Sequence, residues 1–256
     1  MTSFDHALNH DNLAGKVALI TGAAHRVGAM IARALHAQGM NLVLHYRHSG
    51  EAAQRLQVEL HAIRADSVVL VQADLLDTAT LPTLVDTALS TWQRLDVLVN
   101  NASSFYPTPV GSVTEAQWDD LTGSNLKAPF FLAQAAAPYL AQQHGCIVNI
   151  VDIHADRPLK AHPVYSIAKA GLVMLTKALA RELGPEVRVN AVAPGAILWP
   201  EHALDTAAKE YIISRTALKR QGVPHDIAQA VLFLIRDASY ISGHVLTVDG
   251  GRSLSN

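Results

Sequence analysis

The feature that most constrains this chain is a rhythm. Short, almost uninterrupted apolar runs alternate with longer stretches of helical period. The apolar runs are Lys16 to Thr21, Asn41 to His45, Ser67 to Val71, Asp96 to Val99, Cys146 to Val151, Val187 to Val192 and His244 to Val248. Between them, Val27 to Gln38 (closed by Gly39), Gly50 to Ile63, Leu81 to Trp92, Ser166 to Leu183 and Pro224 to Ile235 read as helices.

A strand with one wet face alternates apolar and polar residues, whereas a strand covered on both faces is apolar throughout. These runs are of the second kind. Strand–helix alternation along the whole chain predicts an α/β fold: a single Rossmann-type, doubly wound parallel sheet of about seven strands, helices on both faces, right-handed crossovers. The domain is expected over residues 16–256, after a polar, loose extension at 1–15 rich in His, Asp and Asn. Only Ala196 to Gln221 breaks the rhythm. Ligands of open α/β sheets sit beyond the C-terminal strand ends, so a long insertion there is expected to act as a substrate lid.

The 256 residues suffice for a large core, half of them are apolar, and the formal net charge is −2. Nothing in that balance calls for a nucleic-acid partner. No apolar stretch reaches the roughly 20 residues of a membrane span. Residues 1–15 lack the apolar centre of a secretory signal. The one cysteine, Cys146, excludes an internal disulfide and is compatible with a reducing, cytoplasmic location. Flanked by Gly145 and Ile147, it reads as a small buried apolar residue. No metal site is expected.

The first strand runs into Thr21-Gly22-Ala23-Ala24-His25-Arg26-Val27-Gly28, where a helix begins. Small residues permit a tight turn and close backbone approach, and the helix start offers N–H groups to a pyrophosphate. A cofactor with a free ribose 2′-hydroxyl usually meets an acid at the end of the second strand. Here that end reads His45-Tyr46-Arg47-His48-Ser49. Arg47 can fork onto a phosphate and Ser49 can donate to it, which points to a 2′-phosphate and NADP(H). Asp74 either accepts from an adenine amino group or caps a helix.

Tyr165 and Lys169 are four residues apart, so they share one helix face. The ammonium is expected to favour the phenolate and lower the phenol below its usual value of about 10. Such a pair transfers protons, so the dinucleotide must transfer the electrons. Asp152 lies thirteen residues before Tyr165 and is a second candidate acid.

Taken together, these pieces resemble the short-chain dehydrogenase/reductase family over nearly the whole chain. The matches are Thr21-Gly22 with Gly28, Asn100-Asn101-Ala102, Asn125, Tyr165/Lys169, Pro194-Gly195 and Asp249-Gly250-Gly251. The family usually has glycine at Arg26 and serine at Asp152. Both departures resemble the pteridine reductase branch, as do Asn100 to Pro109 and His45-Tyr46-Arg47 with Ser49. The resemblance implies reduction of a pterin or dihydropterin by NADPH, and a homotetramer packed through long helices such as Ala168 to Ala180. It implies cofactor contacts from Gly22, Arg26, Val27 and Gly28, from His45, Tyr46, Arg47, His48 and Ser49, and from Asp74 and Leu75. Further contacts are implied from Asn101, Ala102, Ser103, Tyr165, Lys169, Pro194 and Gly195. The implied catalytic set is Asp152, Tyr165, Lys169 and Asn125, the last holding Lys169 through a water. The implied substrate set is Arg26, Ser103, Phe105, Asp152 and Tyr165. Phe105 either stacks on a flat ring or is plain core. The proton comes from Tyr165 or Asp152. Two other functions stay open: reduction of a ketone or sugar carbonyl, and nucleotide binding by a regulator without turnover.

Overall fold

The computed structural model describes residues 12–197 and 205–255. Strands β1 (Val17–Ile20), β2 (Asn41–Tyr46), β3 (Val68–Gln72), β4 (Val97–Asn100), β5 (Cys146–Ile150), β6 (Arg188–Pro194) and β7 (Val245–Val248) form one sheet. Its order is β3-β2-β1-β4-β5-β6-β7, and every neighbouring pair is parallel. The helices are α1 (Arg26–Ala37), α2 (Gly50–Ile63), α3 (Leu81–Trp92), α4 (Glu115–Thr122), α5 (Ala128–Gln142), α6 (Pro163–Glu182), α7 (Thr206–Ser214) and α8 (Pro224–Arg236).

The continuous apolar character of the strands has a direct cause. Ala18 and Ile20 of β1 enter a core shared with α1, α2 and α8. Val17 and Leu19, pointing the other way, enter a second core with α3, α5 and α6. β2, β4 and β5 divide in the same manner, and Cys146 is buried in the first core. Each fully buried aliphatic side chain contributes about 1.5–3 kcal/mol. A polar residue at any of these positions would cost on both counts.

Several boundaries differ from the sequence reading. α6 begins at Pro163 rather than Ser166, because proline suits a first helical turn. β6 extends to Pro194. The first eleven residues of the extension expected at 1–15 lie outside the described residues. The end of that extension is packed: Leu13 is buried, and the Gly15 N–H donates to the Gly39 carbonyl at 3.0 Å.

The described ends of the 196–221 insertion are joined to each other. Gly222 N–H donates to the Ala196 carbonyl (3.1 Å), and Gln221 Nε2 donates to the Ile197 carbonyl (3.0 Å). Beyond that neck, Leu218 N–H donates to the Gly250 carbonyl. Among the described residues, no helix is long and apolar enough to cross a membrane.

Candidate active site

Strand order reverses between β1 and β4, and the crevice at such a switch point is where this architecture binds ligands. Side chains lace the two strand ends together there. Thr21 Oγ1 accepts from the N–H groups of Asn101 and Ala102, each at 3.0 Å. Asn101 Nδ2 donates back to the carbonyls of Thr21 (2.9 Å) and Gly22 (3.0 Å). Gly22 takes φ 61°, and a Cβ on Gly28 would lie 2.3 Å from the Gly22 carbonyl oxygen. Larger residues are excluded at both points. His25 gives α1 no side-chain cap, and the start of the helix lies at this turn.

Above this turn is a cavity of about 550 Å³. Of the residues expected at the site, all but three line it, from Gly22, Arg26, Val27 and Gly28 through the β2 end to Asp152, Tyr165, Pro194 and Gly195. Phe105, Asn125 and Lys169 stand outside that lining. Residues that the sequence reading missed also line it: Ala24, His25, Leu76, Ser104, Ser124, Ile150, Val151 and Ile197. Ile150 and Val151 could have been read from their place at the end of β5, directly before Asp152. Leu76 carried no comparable signal.

Several expected roles change on inspection. His45 is almost wholly buried, and both its ring nitrogens are used within the protein. Its Nδ1 accepts from the Gly22 N–H (3.2 Å), so Nε2 carries the hydrogen and donates to the Ala73 carbonyl (3.1 Å). Burial lowers its pKa and keeps this tautomer neutral. His45 therefore braces the turn from behind. Asp74 Oδ2 pairs with Arg47 Nη2 at 2.9 Å, and Asp74 Oδ1 accepts from the Leu76 N–H. Both side chains of that pair are 43 % exposed, so the bond itself adds little stability. It does hold Arg47 beside Ser49, whose hydroxyl makes no capping bond to α2. Arg26 takes φ 51°, which explains why a glycine is usual there. Keeping a side chain in that conformation costs roughly 1 kcal/mol.

Proton chemistry is concentrated at the ends of β5 and α6. The Tyr165 hydroxyl donates to Asp152 Oδ2 at 2.8 Å, and Asp152 Oδ1 accepts from the His154 N–H at 2.8 Å. Asp152 is thus engaged at both carboxyl oxygens. The expected lowering of the Tyr165 pKa is not found. Burial, then the Asp152 charge and hydrogen bond, hold the phenol well above 10; a hydrogen bond with Ser103 acts in the opposite direction. The Lys169 ammonium is engaged by the backbone. Its Nζ donates to the Ile150 carbonyl (2.9 Å) and lies 5.7 Å from the centre of the Tyr165 ring. Only 2 % exposed, Lys169 is pushed down to about 8 by burial, against the pull of Asp152.

Asn125 lies in a wide, π-helical turn, Gly123–Lys127, between α4 and α5. Such turns frequently mark functional positions. Its Oδ1 accepts from Ser103 Oγ (2.7 Å), and its Nδ2 donates to the carbonyls of Ser104 (2.9 Å) and Leu121 (3.0 Å). It fastens the loop after β4 to the helix. Phe105 is neither core nor part of the cavity wall. It is 45 % exposed, stacks on His162 and meets Tyr165 edge-on.

Comparisons with known proteins agree with this architecture. A family model described as enoyl-(acyl carrier protein) reductase matches residues 22–253. Pteridine reductase 1 of Leishmania tarentolae is 39 % identical, the match covering 93 % of this chain and 96 % of that protein. The 3-oxoacyl-[acyl-carrier-protein] reductase FabG of Staphylococcus aureus is 37 % identical, covering 92 % and 97 %. The counterpart from Staphylococcus epidermidis is 35 % identical, covering 92 % and 98 %. With the parallel seven-stranded sheet, the glycine turn at the switch point and the Tyr165/Lys169 pair at the cavity, the chain belongs to the short-chain dehydrogenase/reductase family of oxidoreductases.

Proposed function

We propose that this oxidoreductase uses NADPH to reduce a pterin or dihydropterin, with Tyr165 as proton donor and Asp152 as its partner. The observation that carries the proposal is the 2.8 Å hydrogen bond from Tyr165 to Asp152 on the cavity wall. Carbonyl reduction builds negative charge on the substrate oxygen, which calls for neutral or cationic donors around it. A carboxylate at that point opposes such charge. A C=N nitrogen that is protonated before the hydride arrives becomes cationic, and a carboxylate favours that charge. The likeness to pteridine reductase 1 favours this reading, and the likeness to the FabG proteins favours a carbonyl substrate.

The residues suit NADPH. Gly22 and Gly28 let the turn pack tightly against Ala102 and Asn101, and the start of α1, with no side-chain cap, would offer N–H groups to a pyrophosphate. Arg47 and Ser49 would receive the 2′-phosphate at the start of α2. When bound, NADPH supplies the hydride. Tyr165 supplies the proton at the ring nitrogen, and its phenolate is stabilised by the nearby Lys169 ammonium. Asp152 holds the hydroxyl aimed before transfer. Arg26 would touch both pyrophosphate and substrate. The 196–221 segment would close over the substrate. A homotetramer is part of the same proposal, supported by exposed apolar side chains on neighbouring helices: Trp118, Phe130, Phe131, Ile167 and Met174. So is a cytoplasmic location.

The test is NADPH oxidation by purified protein with dihydrobiopterin, dihydrofolate and an acetoacetyl thioester. Turnover of a pterin with little thioester reduction supports the proposal. The reverse pattern establishes a carbonyl reductase, and nucleotide binding without turnover of any substrate establishes a regulator.

A further inference from the structure

We infer that His162 is a positioning residue for flat substrates: its imidazole is a fixed backing plate that holds the Phe105 ring with the opposite face turned out to receive a planar heterocycle. The inference rests on the reading that the site takes such a ring.

The two rings lie parallel, with centroids 4.7 Å apart and 10° between their planes. His162 therefore covers one face of Phe105. Phe105 nonetheless remains 45 % exposed, so the stack leaves part of the ring open. Phe105 meets Tyr165 in a perpendicular contact, with centroids 4.8 Å apart and planes at 81°. The ring thus stands next to the phenol that donates the proton. Neither Phe105 nor His162 lines the main cavity, but Phe105 touches Tyr165, which does.

His162 is itself held. Its Nδ1 is 2.9 Å from the Lys160 carbonyl, which can only accept, so Nδ1 carries the hydrogen and donates it. His162 immediately precedes α6 and is three residues before Tyr165, so plate and phenol sit on one rigid element. The Phe105 loop is tied to the same turn, since Thr108 N–H donates to the Ala161 carbonyl at 2.7 Å. Ala161, next to His162, takes φ 63°, a conformation that favours glycine. Non-glycine residues persist there where their surroundings over-determine the backbone, and such residues cluster at ligand clamps. Ring, turn and loop are thus fixed together before any substrate arrives. A flat substrate meets an aromatic surface already ordered, which lowers the entropy lost on binding.

The test compares His162→Ala and His162→Phe with the wild-type chain. The readouts are kinetics with dihydrobiopterin and NADPH, NADPH affinity, and NMR of the histidine ring protons. His162→Ala is expected to raise the KM for dihydrobiopterin about three- to tenfold, the range for ordering one side chain on binding. The turnover number and NADPH affinity should stay within about twofold, since no transition-state contact is removed. His162→Phe should restore the KM, because a flat ring is what the role requires. The His162 ring proton should be shifted upfield by Phe105 and return toward its ordinary position in Phe105→Leu. An unchanged KM in His162→Ala overturns the inference. So does a combined loss of turnover and NADPH affinity, or a His162→Phe variant as poor as the alanine. If the wild-type protein reduces no pterin, it is the substrate reading that fails. The stack is then judged by NMR alone: a shifted resonance supports the backing plate and an unshifted one overturns it.

Discussion

Lys169 offers a sharp test of the site's energetics, because it is a cation buried for chemistry rather than for stability. Its pKa falls from the ordinary 10.5 to about 8, chiefly through burial. At 1.36 kcal/mol per pKa unit, holding the ammonium inside the fold at about pH 7 costs about 3 kcal/mol. Lys169→Met keeps the length of the side chain and removes the charge. The substitution loses the bond to the Ile150 carbonyl, worth about 1 kcal/mol. It also loses the ammonium beside the Tyr165 ring, worth roughly 0.5 kcal/mol. A net gain of about 1–2 kcal/mol is therefore expected at about pH 7, together with loss of reductase activity. The sign of the pH dependence follows from the lowered pKa. Between about 8 and 10.5 the unfolded chain holds a proton that the folded one has released, so wild-type stability climbs with pH there. The advantage of the methionine variant should shrink by about 2–3 kcal/mol between about pH 7 and pH 10, vanishing near about pH 9 and reversing above it. Tyr165 behaves oppositely. Raised in the fold, its contribution is present below its unfolded value near 10 and is lost at higher pH, but it is common to both proteins. Urea unfolding of both proteins across this range is the assay. A methionine variant less stable than wild type at about pH 7, or a stability difference that does not move with pH, refutes the reasoning.

Three further outcomes are expected. Arg47→Glu should raise the NADPH dissociation constant at least about tenfold, the loss of a charge-assisted bond, and leave NADH nearly untouched; equal losses in titrations would show that Arg47 reads no 2′-phosphate. Asp152→Ser should lower pterin turnover about 10²-fold while NADPH affinity is kept, the scale of one misaligned proton donor; unchanged turnover across the pH range would remove Asp152 from the reaction. Arg26→Gly relieves the strained backbone and should raise thermal stability by roughly 1 kcal/mol while weakening the pterin KM; a destabilised glycine variant would show that the arginine contacts outweigh the strain.

The sheet was legible because its signal is collective. Two alternating residue sets in each strand both enter cores, so the apolar runs marked β1 to β7 even where their ends shifted by a residue or two. The cavity was legible because a turn that tolerates no Cβ at Gly28 and a strand end that carries Arg47 occupy the positions the architecture assigns to a dinucleotide. What the sequence did not disclose was direction. Spacing places Lys169 and Tyr165 on one face of α6 but does not say that the ammonium turns to the Ile150 carbonyl and the phenol to Asp152. Proximity suggested a lowered phenol pKa; burial and a neighbouring carboxylate reverse that shift. His45 and Asp74 line the cavity as expected, but their partners Gly22, Ala73 and Arg47 were not legible, because these become neighbours only once β1, β2 and β3 are side by side.

The same misreadings locate the function. A chain selected for stability alone would not bury an ammonium at Lys169, keep side chains on left-handed backbone at Arg26 and Ala161, widen a helical turn around Asn125, or begin α1 without a cap. Except for Ala161, these features surround or immediately back one cavity, and Ala161 adjoins the turn that carries His162 toward Phe105 and Tyr165. Left-handed backbone also occurs at Asp66, Gln93, His144 and Lys219, but the buried ammonium of Lys169 and the widened turn of Asn125 fall together behind this cavity, as expected where binding and proton transfer set the constraint. Substitutions that restore the local rules at these positions should each stabilise the fold and impair the reaction. Substitutions of equal size in the two cores should only destabilise.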